Sequence, residues 1–435
     1  LPHYFKTTNQ YPQKTFKLLR ILAIGVYNLI IWLYHKAAIA LSPFSTKAKK
    51  WVYGISQQQL EIATFKTPQI TNRIWVHCSS LGEFEQARPL IEMIKENERN
   101  CCIYLTFFSP SGFEIVQLKG IAHYVFYLPL DTQKNAEYFI EKLQPTLVIW
   151  TKYDFFFHYL HLIKKHNIPC ILFSARFLNT QPFFKPHGLL HREMLSCFSA
   201  IFVQNENSKL LLHTIKIDSE VAPDTRFDRV MAIAQKEFHN TTIDEFLKHS
   251  THVLVAGSTW QEDEQLLANT LKNFPNYKLI IAPHQIETKK IAQTQAIFEK
   301  KQLNTVLYSK FSPNRKNAQV LIIDNIGMLS QIYRYAQICY VGGGFGAGIH
   351  NVLEAVVYGK PTLVGTNFHK SIECEELIKN GVVFSIKNQT ELSRRINELN
   401  SHLQLKSIAE KAANFMNANS GGTKKIFNHA KRYIQ

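Results

Sequence analysis

Five short loops carry the residues whose types and spacing can do chemistry. In Ser79-Ser80-Leu81-Gly82-Glu83 an apolar run, IWVHCS, passes into a helical pattern, EFEQARPLIEMIKEN. Glycine permits a tight turn there, and Glu83 stands at the helix start. Its carboxylate either interacts with the helix dipole or acts as a general base toward a hydroxyl, and spacing alone allows both. Ser109-Pro110-Ser111-Gly112 follows the run CIYLTFF and reads equally as an anion site of amides and hydroxyls or as an ordinary N-cap. Gly257-Ser258-Thr259 precedes Gln261-Glu262-Asp263-Glu264, so its hydroxyls either cap that helix or receive a phosphate. His284, in APHQIE, ends an apolar run where a ligand would arrive.

The densest signal is the stretch from Val341 to Glu354, VGGGFGAGIHNVLE, with five glycines in seven residues. Directly after a buried strand and before a helix, such a turn lets backbone approach a phosphate. It lacks G-K-[ST] and does not open the first βαβ unit, so neither a Walker loop nor a dinucleotide fingerprint fits. Asn351 and Glu354 have capping-box spacing. Alternatively Glu354 accepts hydrogen bonds from ribose hydroxyls, and the adjacent glycines favour that nucleotide reading. His350 is read as part of the glycine turn. With no D-x-D and no H-E-x-x-H, metal ligation is not expected.

The elements that must position these loops are short β-rich runs alternating with amphipathic helices, the pattern of parallel sheets covered by helices. One series of runs lies at 74–79, 102–108, 123–129, 146–151, 170–175 and 200–204, and a second at 252–257, 278–283, 320–324, 338–343 and 361–365. The expected class is α/β, with two Rossmann-like domains facing a cleft and ligands beyond the carboxyl ends of the strands. Expected boundaries are an extension with an anchor over 1–50, a first domain over 51–225, a linker over 226–250, a second domain over 251–410 and a terminal helix over 411–435.

The composition bounds the rest. The net charge of +17 is concentrated at the amino terminus, where residues 1–60 hold eight Lys and Arg and the first acidic residue is Glu61. No nucleic-acid module accompanies it, and no nucleic-acid partner is expected. Seven cysteines without a C-x-x-C pair read as buried thiols. The uncharged run ILAIGVYNLIIWLY over 21–34 reads as a membrane anchor, spanning or lying in the interface, in preference to a buried core helix. Lys47, Lys49 and Lys50 behind it place the next domain on the cytoplasmic side, where anionic lipids would meet the flanking cations.

Taken together, IWVHCSSLGEFEQARPLI, TFFSPSGFE, VLVAGSTWQEDEQLL and VGGGFGAGIHNVLEAVVYGKPTLVG, in this order behind a short anchor, resemble the 3-deoxy-D-manno-octulosonic acid (Kdo) transferases of lipopolysaccharide synthesis. The resemblance spans roughly residues 21–430. It implies a GT-B glycosyltransferase at the cytoplasmic face of the inner membrane that moves Kdo from CMP-Kdo to the lipid A precursor without metal or other cofactor. It implies Glu83 as the catalytic base, and an acceptor-binding first domain using Ser80, Gly82, Ser109, Ser111 and Gly112, with Asp154 as the one carboxylate kept where the family's E-T-E-[LF]-W-P becomes Thr151-Lys152-Tyr153-Asp154-Phe155-Phe156. Donor contacts would come from Ser258, Thr259, His284, Gly327, Met328, Gly343, Gly344, Asn351 and Glu354, with Gly327 and Met328 near the cytosine. The chain departs from the family where P-R-H-P-E becomes Pro283-His284-Gln285-Ile286-Glu287, with His284 in the arginine position, and where Arg226 replaces a lysine. Two rival readings are a GT-B-like nucleotide-sugar epimerase and a membrane-tethered protein that binds a nucleotide or anionic lipid without turnover.

Overall fold

The computed structural model describes residues 13–434 apart from 117–119, 153, 313–316 and 400; residues 1–12 of the expected extension lie outside the described residues. The chain divides into two compact units, one of residues 1–226 with 421–435, the other of residues 227–420.

In the first unit, β1 (Asn72–Cys78), β2 (Cys101–Phe107), β3 (Tyr124–Tyr127), β4 (Leu147–Thr151), β5 (Cys170–Ala175), β6 (Ala200–Val203) and β7 (Glu220–Val221) form one parallel sheet. Its order is β3-β2-β1-β4-β5-β6-β7. Period-two alternation sorts the side chains onto its faces. Trp75, Tyr104, Trp150 and Leu172 enter one apolar cluster, while Ile74, Val76, Ile103, Leu105 and Ile149 enter another. Both faces are covered, which is why these strands read as nearly unbroken apolar runs.

The second unit repeats the plan with β8 (His252–Thr259), β9 (Tyr277–Pro283), β10 (Thr305–Leu307), β11 (Val320–Ile322), β12 (Ile338–Val341), β13 (Thr362–Val364) and β14 (Val383–Ser385). These strands are also parallel, in the order β10-β11-β9-β8-β12-β13-β14. In each sheet the winding reverses beside its first strand, between β1 and β4 and between β8 and β12. Such reversals open the crevices where ligands bind. Two α/β units on parallel sheets agree with the expected class.

Two expected boundaries move. Residues 226–250 are not a linker: the helices Thr225–Gln235 and Thr241–Leu247 bury Phe227, Val230, Ile243 and Phe246 in the core of the second unit. The terminal segment is two helices with different allegiances. His402–Ala418 packs Ile408, Ala412 and Met416 into the second unit, whereas Gly422–Ala430 returns Ile426, Phe427 and Ala430 to the first. The strands missed from sequence, β7, β10 and β14, are two- or three-residue edge strands. All seven cysteines are buried thiols, as read.

The helix Gln13–Leu41 contains a 25-residue stretch, Lys17–Leu41, long and apolar enough to cross a membrane. One stripe of it docks on the first unit. Arg20 pairs with Glu193 at 2.6 Å, the Tyr27 hydroxyl donates to Asp131, and Asn28 meets His158 Nε2 at 2.7 Å. Tyr34 packs edge-on against Trp51. Residues 20, 27 and 34 are seven apart and so share a face. Leu22, Val26, Leu29, Ile30 and Leu33 are left exposed.

Candidate active site

In the first unit the site sits where β1 ends. Ser80 is the N-cap of the helix Leu81–Asn97, but its hydroxyl does not cap it. Glu83, only 9% exposed, reaches back past the N-cap and accepts the Ser79 N–H. Burial pushes the Glu83 carboxyl up to about 7, and the charge of Asp154 adds to the rise. The Ser79 amide, Lys152 and the Ser80 amide pull the other way and lose. An acid that only served the helix dipole would be held low. Glu83 instead changes protonation near neutrality, as a general base requires.

The neighbouring loop is tied in through the Ser109 amide, which donates to the Ser79 carbonyl at 2.8 Å. Ser109 and Ser111 share a hydroxyl–hydroxyl hydrogen bond of 3.0 Å at the start of the helix Pro110–Val116. Gly112 has a packing reason to be glycine, since a Cβ there would lie 2.2 Å from the Phe107 ring. Gly82 has none: its φ is not positive, and the nearest atom to a Cβ would be Ser80 Oγ at 3.9 Å. The tight turn expected at Gly82 is therefore the first turn of a regular helix. Asp154 is exposed and places its charge near Glu83, while its carbonyl accepts from Trp150 Nε1 at 2.8 Å.

Sequence reasoning passed over His77. Its ring contacts Thr106 Oγ1 at 2.8 Å and Ser79 Oγ at 3.2 Å, and complete burial pushes its pKa down to about 3. It is a neutral core histidine that braces the loop behind Glu83. Its only sequence signal, one polar residue in an apolar strand, points to no role.

In the second unit the loops after β8, β9 and β12 meet. Asp263, on the helix Gln261–Leu271, organises them: it accepts from Trp260 N at 2.9 Å, Gly343 N at 2.8 Å and the Tyr340 hydroxyl at 2.6 Å. The Gly343 amide, expected on a phosphate, is thus held by a carboxylate. The Thr259 hydroxyl does not cap the helix Gln261–Leu271; it donates to Glu264 Oε1 at 3.3 Å. Ser258 stands in the left-handed region at φ 52°. Gly342 packs on its carbonyl, where a Cβ would come within 2.5 Å, and Gly344 packs equally closely on Gly365.

The capping box expected at Asn351 and Glu354 is not formed as such. The helix Leu353–Val356 starts later, with Val352 as N-cap. Asn351 instead accepts the Leu353 N–H at 3.3 Å and donates to Glu354 Oε1 at 3.1 Å. Burial raises the Glu354 pKa against that hydrogen bond and against the positive charge of Arg229, a cation not singled out from sequence. Arg226 is paired with Asp224 at 2.9 Å in the first unit. Gly327, exposed at φ 97°, and Met328, half-buried against the core, form a turn after β11 in which Asn325 Nδ2 approaches Met328 Sδ at 3.1 Å. His284 lies over both Trp260 and His350, with centroid separations of 4.7 and 4.4 Å. Among the described residues no group of three His, Cys, Asp or Glu side chains converges as a metal site.

Comparison with known proteins bears on this geometry. Residues 53–229 match the sequence model of the family described as 3-deoxy-D-manno-octulosonic-acid transferase (kdotransferase). The 3-deoxy-D-manno-octulosonic acid transferase of Aquifex aeolicus is 28% identical over 346 residues, covering 78% of this chain and 89% of that protein. A bifunctional glycosyltransferase/methyltransferase of Fusobacterium nucleatum is 24% identical over 78% of this chain, which spans only 54% of that longer relative. Among solved structures, UDP-GlcNAc 2-epimerase from Neisseria meningitidis superposes with a TM-score of 0.56 at 16% identity, over 82% of this chain and 99% of its own, a likeness of fold alone. With the motif order and the two-sheet GT-B architecture, the match over residues 53–229 makes this chain similar to the Kdo transferases.

Proposed function

We propose that this protein transfers Kdo from CMP-Kdo to the lipid A precursor, with Glu83 as general base and without a metal ion. The observation that carries the proposal is Glu83 itself: a buried carboxylate at the reversal point of the first sheet, titrating at about 7. Ionised Glu83 takes the proton of the acceptor's 6′-hydroxyl as that oxygen bonds to the anomeric carbon of Kdo. The bond from that carbon to the phosphate oxygen breaks, and CMP leaves with the electron pair. Ser80, Ser109, Ser111 and Asp154 border Glu83 and are the polar groups available to a sugar acceptor.

On the donor side, Glu354 and Asn351 offer acceptors to ribose hydroxyls, and the turn at Gly327 and Met328 offers a surface to the base. Asp263 holds the glycine turn in shape, so the Gly343 amide supports the donor site without reaching the donor. The amino-terminal helix supports a place on the cytoplasmic face of the inner membrane. Because polar contacts pin one stripe of it to the first unit, its exposed apolar stripe is read as lying in the interface, with the flanking lysines facing anionic headgroups.

The test is incubation of the purified protein with CMP-Kdo and lipid IVA, with and without EDTA, followed by mass spectrometry. An acceptor heavier by whole Kdo units, formed equally with EDTA, is the expected result. Unchanged acceptor mass overturns the proposal, and loss of product with EDTA overturns its metal-free form.

A further inference from the structure

Trp260, His284 and His350 come from three different loops and form one aromatic stack. Trp260 and His350 are nearly coplanar, with 10° between the rings, and their edges join through Trp260 Nε1–H donating to His350 Nε2 at 3.2 Å. His284 lies across both at interplanar angles of 24° and 27°. Its main chain is fixed by its own N–H, which donates to the Thr259 carbonyl at 2.9 Å. His284 is exposed, whereas Trp260 and His350 are half-buried.

The hydrogen bond fixes the charge of one imidazole. Indole N–H is a donor only, so His350 Nε2 must be an unprotonated acceptor and the ring proton sits on Nδ1. Protonating Nε2 would set two donors against each other. The trend agrees, because burial and the neighbouring His284 push His350 down to about 4. His284 has no such restraint. Partial desolvation against the two neighbouring rings lowers its pKa, and Glu287 works in the opposite direction.

Ionisable groups come from several elements near the stack. The helix Gln261–Leu271 contributes Asp263, bound to the amides of Trp260 and Gly343. The loop after β13, joined to the glycine turn through Asn367, carries His369, paired with Glu375, and Lys370. The glycine turn itself, residues 342–348, has no ionisable side chain.

We propose that this stack is a proton-linked anion site: His284 takes up a proton when a phosphate or carboxylate of the nucleotide sugar docks, while the Trp260–His350 shelf keeps the second imidazole neutral. The proposal rests on reading the second unit as the nucleotide-sugar unit. An arginine in this position would be charged at every working pH, whereas a histidine is charged only when the anion supplies the counter-charge. Anion binding raises the His284 pKa, so affinity falls as pH climbs from the free toward the bound value. Trp260 and His350 are positioning residues.

The experiment measures CMP affinity by calorimetry from pH 5.5 to 8.5 for the full chain, His284→Arg and His284→Gln. Two buffers of different ionisation enthalpy count the protons taken up. The CMP phosphate itself titrates near pH 6, so the difference between the chain and His284→Arg is the signal. The expected result is that affinity of the unaltered chain drops about tenfold more than that of His284→Arg between pH 6 and 8, with weak binding by His284→Gln throughout. Parallel profiles for the chain and His284→Arg overturn the proposal while leaving the donor reading intact. No CMP binding by any of the three overturns the donor reading. A second measurement uses Trp260 as the one tryptophan of residues 227–420. Its fluorescence, taken as the difference from Trp260→Phe, should be quenched on acidification with the His284 titration, and a flat difference overturns the proposal.

Discussion

The negative charge of Asp154 adds to burial in raising the proton affinity of Glu83, whose carboxyl stands at about 7. The two carboxylates share one end of the first sheet, and only Glu83 is buried. As a base Glu83 must be ionised, so kcat/KM should rise with pH and level off above about 7. Asp154→Asn removes the repelling charge, lowers the Glu83 pKa and should move that limb toward lower pH by a few tenths to about one unit. A pH–rate profile of both proteins checks this, and coincident limbs would separate the two residues.

Glu83→Gln should lower kcat by about 10²–10⁴-fold. Stability should respond differently. Because the folded-state pKa is raised from 4.5 to about 7, the folded chain binds the proton more tightly than the unfolded chain does between those values. Stability from this group is therefore present below about 4.5 and is lost as pH climbs to about 7. At pH 8 the glutamine variant should be no less stable than the parent, and higher by on the order of 1–3 kcal/mol if the Ser79 amide keeps a partner. Denaturant unfolding at pH 5 and pH 8 shows the sign.

Adding a methyl at Gly342 or Gly344 should disturb the loops after β8 and β12. The new carbon would sit 2.5 Å from the Ser258 carbonyl in the first case and 2.6 Å from Gly365 in the second, both rigid backbone. Each alanine variant should cost about 1–3 kcal/mol and weaken CMP binding. Gly346→Ala, with nothing within 4 Å, should match the parent in thermal melting.

At the amino terminus, replacing Leu22, Val26, Leu29 and Leu33 together by serine should abolish flotation with phosphatidylglycerol vesicles and leave the unfolding midpoint nearly unchanged, since all four are exposed. Tyr27→Phe should do the reverse. It removes one of the hydrogen bonds to buried Asp131 and should cost about 1–3 kcal/mol while vesicle binding persists.

The sheets were legible because a strand buried on both faces is locally apolar, as IWVHC and CILFSA are. The edge strands were not, since two or three residues carry no period. Residues 226–250 were misread for a related reason. APDTRFD looks like a turn in isolation, and only contacts far along the chain show that Phe227 and Ile243 are core. Glu83 was visible as a candidate from its loop, but burial decided its protonation, and burial is a property of the fold. The glycine turn showed the opposite limit. Its spacing points to backbone approaching a phosphate, yet within the fold the partner of the Gly343 amide is Asp263, eighty residues earlier in the chain. The stack of Trp260, His284 and His350 was equally hidden, being assembled from positions up to ninety apart.

The return of Gly422–Ala430 to the first unit sets an order of events during synthesis. Phe84 and Ile91 lie in the same apolar cluster as Ile426 and Phe427. Until that helix is synthesised, Phe84 and Ile91 lack this part of their apolar cover. At 5–20 residues per second, roughly 200 intervening residues delay that cover by about 10–40 s. The first unit is thus interrupted by the second, and a nascent chain waits with part of that core exposed while residues 227–420 are made.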